Sequence, residues 1–164
     1  MIGYIASVLF AVLTHELAHL IVMRILGVGA SRVRFGVFGI GIEAKYALGS
    51  YLKQAVISLA GSVLNIVCAV LLRGHTELAA ACFAYGVFNL LPLSALDGGE
   101  LVCITLAVCG VSDRIRYTVS RLIDTAMTAL LWIVSVYLAL NGVGEGLLVS
   151  SLYMVFSRIC FTRS

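Results

Sequence analysis

The chain has 164 residues, of which 62% are apolar and 12% charged, with a mean hydropathy of +1.10. A soluble domain is about 45–50% apolar and about 25% charged, so a water-soluble fold could not cover this much apolar surface, and a polytopic membrane protein is the class that fits. The net charge of +3 has no basic run behind it long enough to hold a polyanion; it reads as a topological signal, and nucleic-acid binding is excluded as an expectation.

The first predicted element is a helix from about Ile2 to Leu26, read as a working span rather than a cleavable leader because it has no basic start and carries polar residues in its apolar run. Residues 27–49 follow, rich in glycine and charge. Their alternating stretch from Arg32 to Glu43 predicts a short β-hairpin at the membrane surface, bordering a cavity, since non-helical backbone at that depth needs protein or water beside it. A second helix is expected from about Leu52 to Leu72 and a third from about Glu77 to Leu91. The third is interrupted by Pro92 and by Asp97, Gly98 and Gly99, and the apolar pattern resumes from Leu101 to Val111. Ser112 to Arg121 reads as an interfacial helix, followed by spans at about Leu122–Leu140 and Gly146–Phe161.

The predicted fold is therefore an all-α polytopic membrane bundle of about five crossings, one of them interrupted at the Asp-Gly-Gly element, plus one small hairpin. A single domain covers 1–164, with a core at 1–111 and the interfacial helix and two last spans at 112–164. In this arrangement Arg24, Arg32, Arg34, Lys45, Lys53, Arg114, Arg116, Arg121, Arg158 and Arg163 share one side and Arg73 alone lies on the other. That bias puts the hairpin and the C-terminus in the cytoplasm. The five cysteines show no metal spacing and read as small packing residues.

His15-Glu-Leu-Ala-His19 carries the chemistry. Residues four apart share a helix face, so both imidazoles reach one ion while Glu16 stands beside its open position. By residue frequencies such a motif is expected by chance on the order of 0.002 times in a chain of this composition. Ionisable groups inside a span are costly and point to function. A catalytic zinc usually has three protein ligands. Asp97, deep in apolar sequence and flanked by Pro92 and two glycines, is the better-placed third; its alternative role is to cap the helix that follows. His75 belongs to a solvated loop.

His15-Glu-Leu-Ala-His19 together with Asn89-Leu-Leu-Pro-Leu-Ser-Ala-Leu-Asp97-Gly-Gly99 resembles the site-2 protease family of intramembrane metalloproteases, and within it the compact sporulation factor IVB-type group. Gly61-Ser-Val-Leu-Asn65 is similar to the family's Gly-Pro-x-x-Asn element, with Ser62 in place of proline; Ala95 also departs from the proline of many members. The resemblance covers roughly Ile2 to Leu106. It implies zinc on His15, His19 and Asp97, Glu16 as general base, and cleavage of a transmembrane protein substrate near the cytoplasmic face of the cell membrane. It also implies that the hairpin pairs with an extended substrate. The chain begins without the helix that usually precedes the first motif, so control is expected from a partner, a membrane regulatory or inhibitor protein. Two readings stand for Asn89, a donor to substrate or oxyanion and a helix-packing hydrogen bond. Asn65 reads as an interhelical hydrogen bond. Trp132, Tyr137 and Tyr153 read as lipid or interface anchors, and Arg114, Arg116 and Arg121 as contacts to lipid headgroups. A metal transporter using the same ligands, and an inactive helix-binding relative, are the alternatives.

Overall fold

The computed structural model describes residues 2–36, 39–45, 50–143 and 151–152, with side chains from residue 3 onward except those of 30–49. Its elements are α1 (Ile2–Ile25), β1 (Gly29–Gly36), β2 (Gly39–Lys45), α2 (Tyr51–Leu71), α3 (Thr76–Asn89), α4 (Asp97–Val108) and α5 (Asp113–Leu140).

Among the described residues, α1, α2 and α5 are the three helices long and apolar enough to cross a membrane. α1 stops where the sequence supplies a left-handed residue: Gly27 has φ +67, and the Val28 amide donates to the Met23 carbonyl at 2.9 Å. This closure satisfies carbonyls that the helix end leaves bare, and it recurs at Gly110 and Gly142. Lys53, at the start of α2, donates to the Leu26 carbonyl at 2.9 Å, adding a cation at the negative end of α1. Immediately beyond, β1 and β2 pair antiparallel, with Gly29 opposite Lys45 and Gly36 opposite Gly39, and one irregularity between Ala30 and Arg32.

α3 has 14 residues and α4 has 12. At 1.5 Å per residue these reach about 21 and about 18 Å, each short of the roughly 30 Å hydrocarbon core. The break between them falls at residues 90–96, at Pro92; Asp97, Gly98 and Gly99, expected to interrupt the crossing, form the first turn of α4 instead. The polar segment 112–121 does not form a separate interfacial helix. It is the start of α5, a continuous helix of 28 residues. A helix that long spans about 42 Å, so its polar first turns can extend past an apolar core without a bend. The expected last span, Gly146–Phe161, lies outside the described residues apart from Ser151 and Leu152, as does Tyr153.

α1, α2 and α3 pack against one another, α4 packs on α2, and α5 packs on α4. The α1–α2–α3 seams are built from small and polar residues: Ala11, Ala18, Ser58, Gly61, Ser62, Cys82 and Gly86 are buried or close-packed there. Lipid tails are as apolar as leucine, so helices in a membrane associate by close backbone approach and hydrogen bonds rather than by burying large apolar groups. The large residues instead face outward, Leu9, Leu13, Val63, Leu71, Phe83 and Ile133 among them.

Asn65 ties the core together. Fully buried, it donates to the Ala11 carbonyl at 3.1 Å and accepts from Thr14 Oγ1 at 3.0 Å. The sequence reading of Asn65 as an interhelical hydrogen bond corresponds to this pair of bonds, which lock α2 to the turn of α1 just before His15. Ser62, one turn away and equally buried, has no hydrogen-bond partner for its hydroxyl among the described residues. The two positions should therefore respond differently to truncation. Asn65→Ala should destabilise the protein by about 1 kcal/mol, whereas Ser62→Ala removes an unpaired buried hydroxyl and should be neutral or stabilising. Thermal unfolding in detergent, followed by circular dichroism, checks both.

Candidate metal centre

Three side chains from two helices converge. His15 and His19 project from one face of α1, and Asp97 is the first residue of α4. Their ligand atoms all lie within 4.8 Å of one another. Asp97 Oδ2 is 3.0 Å from His15 Nε2 and 3.3 Å from His19 Nε2. The two imidazoles meet edge to face, with centroids 4.7 Å apart.

The hydrogen bonds around the group decide what can sit between these atoms. His19 Nδ1 lies 2.7 Å from the Ile57 carbonyl oxygen, which can only accept, so Nδ1 carries the proton. In the neutral ring Nε2 then presents a bare lone pair to a carboxylate oxygen, and acceptor faces acceptor. Asp97 Oδ2 has no hydrogen-bond donor among the described residues. His15 is 2% exposed and Asp97 lies largely under its neighbours, so water does not screen the repulsion. A cation among the three atoms resolves it, and two imidazoles with one carboxylate are the donor set of a catalytic zinc site with a fourth position open. The Ile57 carbonyl then has the part usually played by the outer partner that fixes a ligand histidine's tautomer and ring orientation.

Asp97 is not a capping residue. The N-cap position of α4 is Leu96, no side chain caps the helix, and the Asp97 carboxylate turns to the histidines. Its place in the first turn is favourable in itself, because the helix dipole is positive there. The two glycines after it are steric requirements. A Cβ on Gly98 would lie 2.2 Å from the Leu90 carbonyl oxygen, and one on Gly99 would lie 2.2 Å from that of Leu93. Only with both absent can the start of α4 tuck against the preceding loop. One turn on, Glu100 accepts a hydrogen bond of 2.5 Å from Ser58 Oγ, docking α4 onto α2 beside Ile57.

Glu16 follows His15 on α1, half-buried, close enough for its charge to act on His19 and Tyr85. Asn89 ends α3, 5% exposed, and its amide donates to the Tyr85 carbonyl at 3.0 Å. This bond lies within α3 and does not join two helices. His75 is the N-cap position of α3 and takes no part in the cluster.

Sequence reasoning missed four contributors. Tyr85 packs perpendicular to His15 with centroids 5.1 Å apart. Ser58 and Glu100 join α2 to α4, and the Ile57 carbonyl orients His19. Glu100 had a signal, an acidic residue one turn beyond Asp97 on the same face; a main-chain carbonyl has none. Gly61 was singled out for its motif, and the structure supplies the reason: a Cβ there would lie 2.6 Å from His15 Cε1, His15 Nε2 and His19 Nε2. Gly61→Ala should consequently push both imidazoles off their positions. We expect at least a tenfold loss of zinc affinity, on the order of an outer-shell change, with helical content unaltered. Zinc titration of the purified protein beside its far-ultraviolet circular dichroism would show it.

No family model matches the chain, and no curated protein is similar to it. Among solved structures it is similar to the Site-2 Protease from Methanocaldococcus jannaschii, with a TM-score of 0.73 at 18% sequence identity. The match covers 97% of this chain and 77% of that one. At that identity the likeness speaks for architecture, and the chain is a membrane protein with the fold of a site-2 protease.

Proposed function

We propose that the protein is an intramembrane zinc metalloprotease that hydrolyses a peptide bond of a membrane-spanning substrate. The observation that carries this reading is the convergence of His15 Nε2, His19 Nε2 and Asp97 Oδ2, three atoms able to bind one ion, with the charge of Glu16 acting on His19. The shared fold with a site-2 protease supports it.

His15, His19 and Asp97 would hold the ion, and Gly61 and the Ile57 carbonyl would keep the two imidazoles in register with it. Zinc, when bound, would acidify water and polarise the scissile carbonyl. Glu16 takes the proton from the attacking water and returns it to the leaving amine, the exchange a positioned carboxylate performs as base and then acid. Asn89, held by its bond to the Tyr85 carbonyl, is the group proposed to meet the substrate. The hairpin of β1 and β2 would receive that substrate as an added strand, which presents it extended to the site.

In the membrane, α1, α2 and α5 cross, and α3 with α4 forms one interrupted crossing. The lysine and arginine bias places the site toward the cytoplasmic face of a multi-pass protein in the cell membrane. Regulated proteolysis, with a membrane regulator or inhibitor as partner and transcription-factor activation in sporulation as its setting, follows from the motif resemblance.

Glu16→Gln keeps the size of the side chain and removes the base. Co-expressed or co-reconstituted with single-span substrates, the variant should lose at least about 100-fold in cleavage rate while its zinc content stays that of the wild type. Undiminished cleavage would remove Glu16 from the mechanism. Metal passage across sealed vesicles, equal in both proteins and without proteolysis, would make the protein a transporter instead.

A further inference from the structure

The loop between α3 and α4 delivers Asp97 to the site, and it is held from an unexpected direction. Asp124, on α5, accepts two hydrogen bonds from one residue of that loop: the Ser94 amide donates to Oδ1 at 2.9 Å and Ser94 Oγ donates to Oδ2 at 3.1 Å. Beside this polar clamp, Leu93 (2% exposed) and Leu96 (6% exposed) form a small apolar cluster against which Met127 and Leu131 of α5 pack, together with Phe88 and Leu91. Residues 124, 127 and 131 fall on one helix face, so a single stripe of α5 grips the loop with a carboxylate and then with two apolar side chains. α5 otherwise packs on α4 and lies outside the three-helix seams.

We propose that Asp124 is a positioning residue for the metal site: by clamping Ser94 it fixes the loop that sets the reach of Asp97, so that zinc affinity depends on how α5 is seated. This rests on the metalloprotease reading above. Two features favour it over a merely packed carboxylate. An ionisable group in a membrane helix is costly and is kept there by its partners. Here the partners belong to the loop three residues before a ligand, and the clamp includes a main-chain amide, so it fixes the backbone and not only a side chain. Asp97 is the one ligand of the three not carried on α1, and its position relative to the imidazoles is therefore the adjustable quantity. A protein that binds α5 and shifts it would loosen or tighten the centre without touching the histidines.

The test uses the full-length protein in detergent or lipid nanodiscs, with two independent readouts. One is the zinc dissociation constant; the other is amide hydrogen exchange of the 90–96 segment in metal-free protein. Asp124→Leu, which keeps the branching at Cγ but removes both acceptors, should weaken zinc binding about tenfold, the lower end for a group that orients a ligand, and should speed exchange across the segment. Asp124→Asn keeps an acceptor for the Ser94 amide and should restore both readouts to within about threefold of wild type. Unaltered zinc affinity in Asp124→Leu overturns the proposal, whether or not exchange changes. Faster exchange with weaker zinc binding, both rescued by asparagine, supports it. If the wild-type protein takes up no zinc, the metalloprotease reading itself fails, and the exchange data still decide whether Asp124 holds the loop.

Discussion

Everything in this structure is arranged around one electrostatic constraint: three atoms able to bind a cation, His15 Nε2, His19 Nε2 and Asp97 Oδ2, are held within 4.8 Å of one another among largely buried side chains. With neither a proton nor a cation between them their lone pairs oppose one another, and burial makes that opposition worse. The chain must bring two candidate ligands from α1 and one from the start of α4 to a single point and keep them there. The glycines, the broken helix and the small-residue seams are answers to that requirement.

α2 is the scaffold that makes the convergence possible although it supplies no ligand. Its face toward the site runs Ile57, Ser58, Gly61, Ser62, Asn65. The Ile57 carbonyl sets the tautomer of His19, Ser58 binds Glu100 of α4, Gly61 leaves room for both imidazoles, and Asn65 bonds to α1 above them. One helix thus fixes α1 and α4 relative to each other. In a membrane this division is natural, because close approach and hydrogen bonds are what hold helices together there.

Much of this was legible in the residues. His15, Glu16 and His19 announce themselves, because the four-residue spacing puts two imidazoles on one face and nothing cheaper explains such groups in an apolar span. Asp97 could be picked out for similar reasons, and the structure brings it to the histidines while removing its capping alternative. The break at Pro92 is equally visible, since proline fits a helix interior poorly, whereas the two glycines, read as part of it, lie in the first turn of α4. What stayed hidden depends on three-dimensional neighbours. No pattern shows that a main-chain carbonyl at Ile57 orients His19, or that Tyr85 packs edge to face against His15. Nor does one show that residues 112–121 continue into the following span, because an amphipathic surface helix and the polar start of a long crossing share the same composition.

The hydrogen-bond accounting of residues 90–96 shows why α5 belongs with the site. Irregular backbone at membrane depth survives only if its polar groups find partners in protein or in a wet cavity. The amides of Leu90 and Leu91 donate to Val87 and Phe88, and those of Leu93 and Leu96 donate to Leu91 and Leu93, so the segment satisfies itself by tight local turns. Pro92 has no amide to satisfy. Of the two amides left, that of Ala95 has no backbone partner among the described residues, and that of Ser94 reaches outside the segment to Asp124. The loop that frees Asp97 from helical geometry thereby takes its support from α5. A side chain carried on a regular helix, as those of His15 and His19 are, inherits its precision from the helix. Asp97, at the end of a broken one, draws its precision from two contacts on either side: α2 through Glu100 and Ser58, and α5 through Asp124 and Ser94.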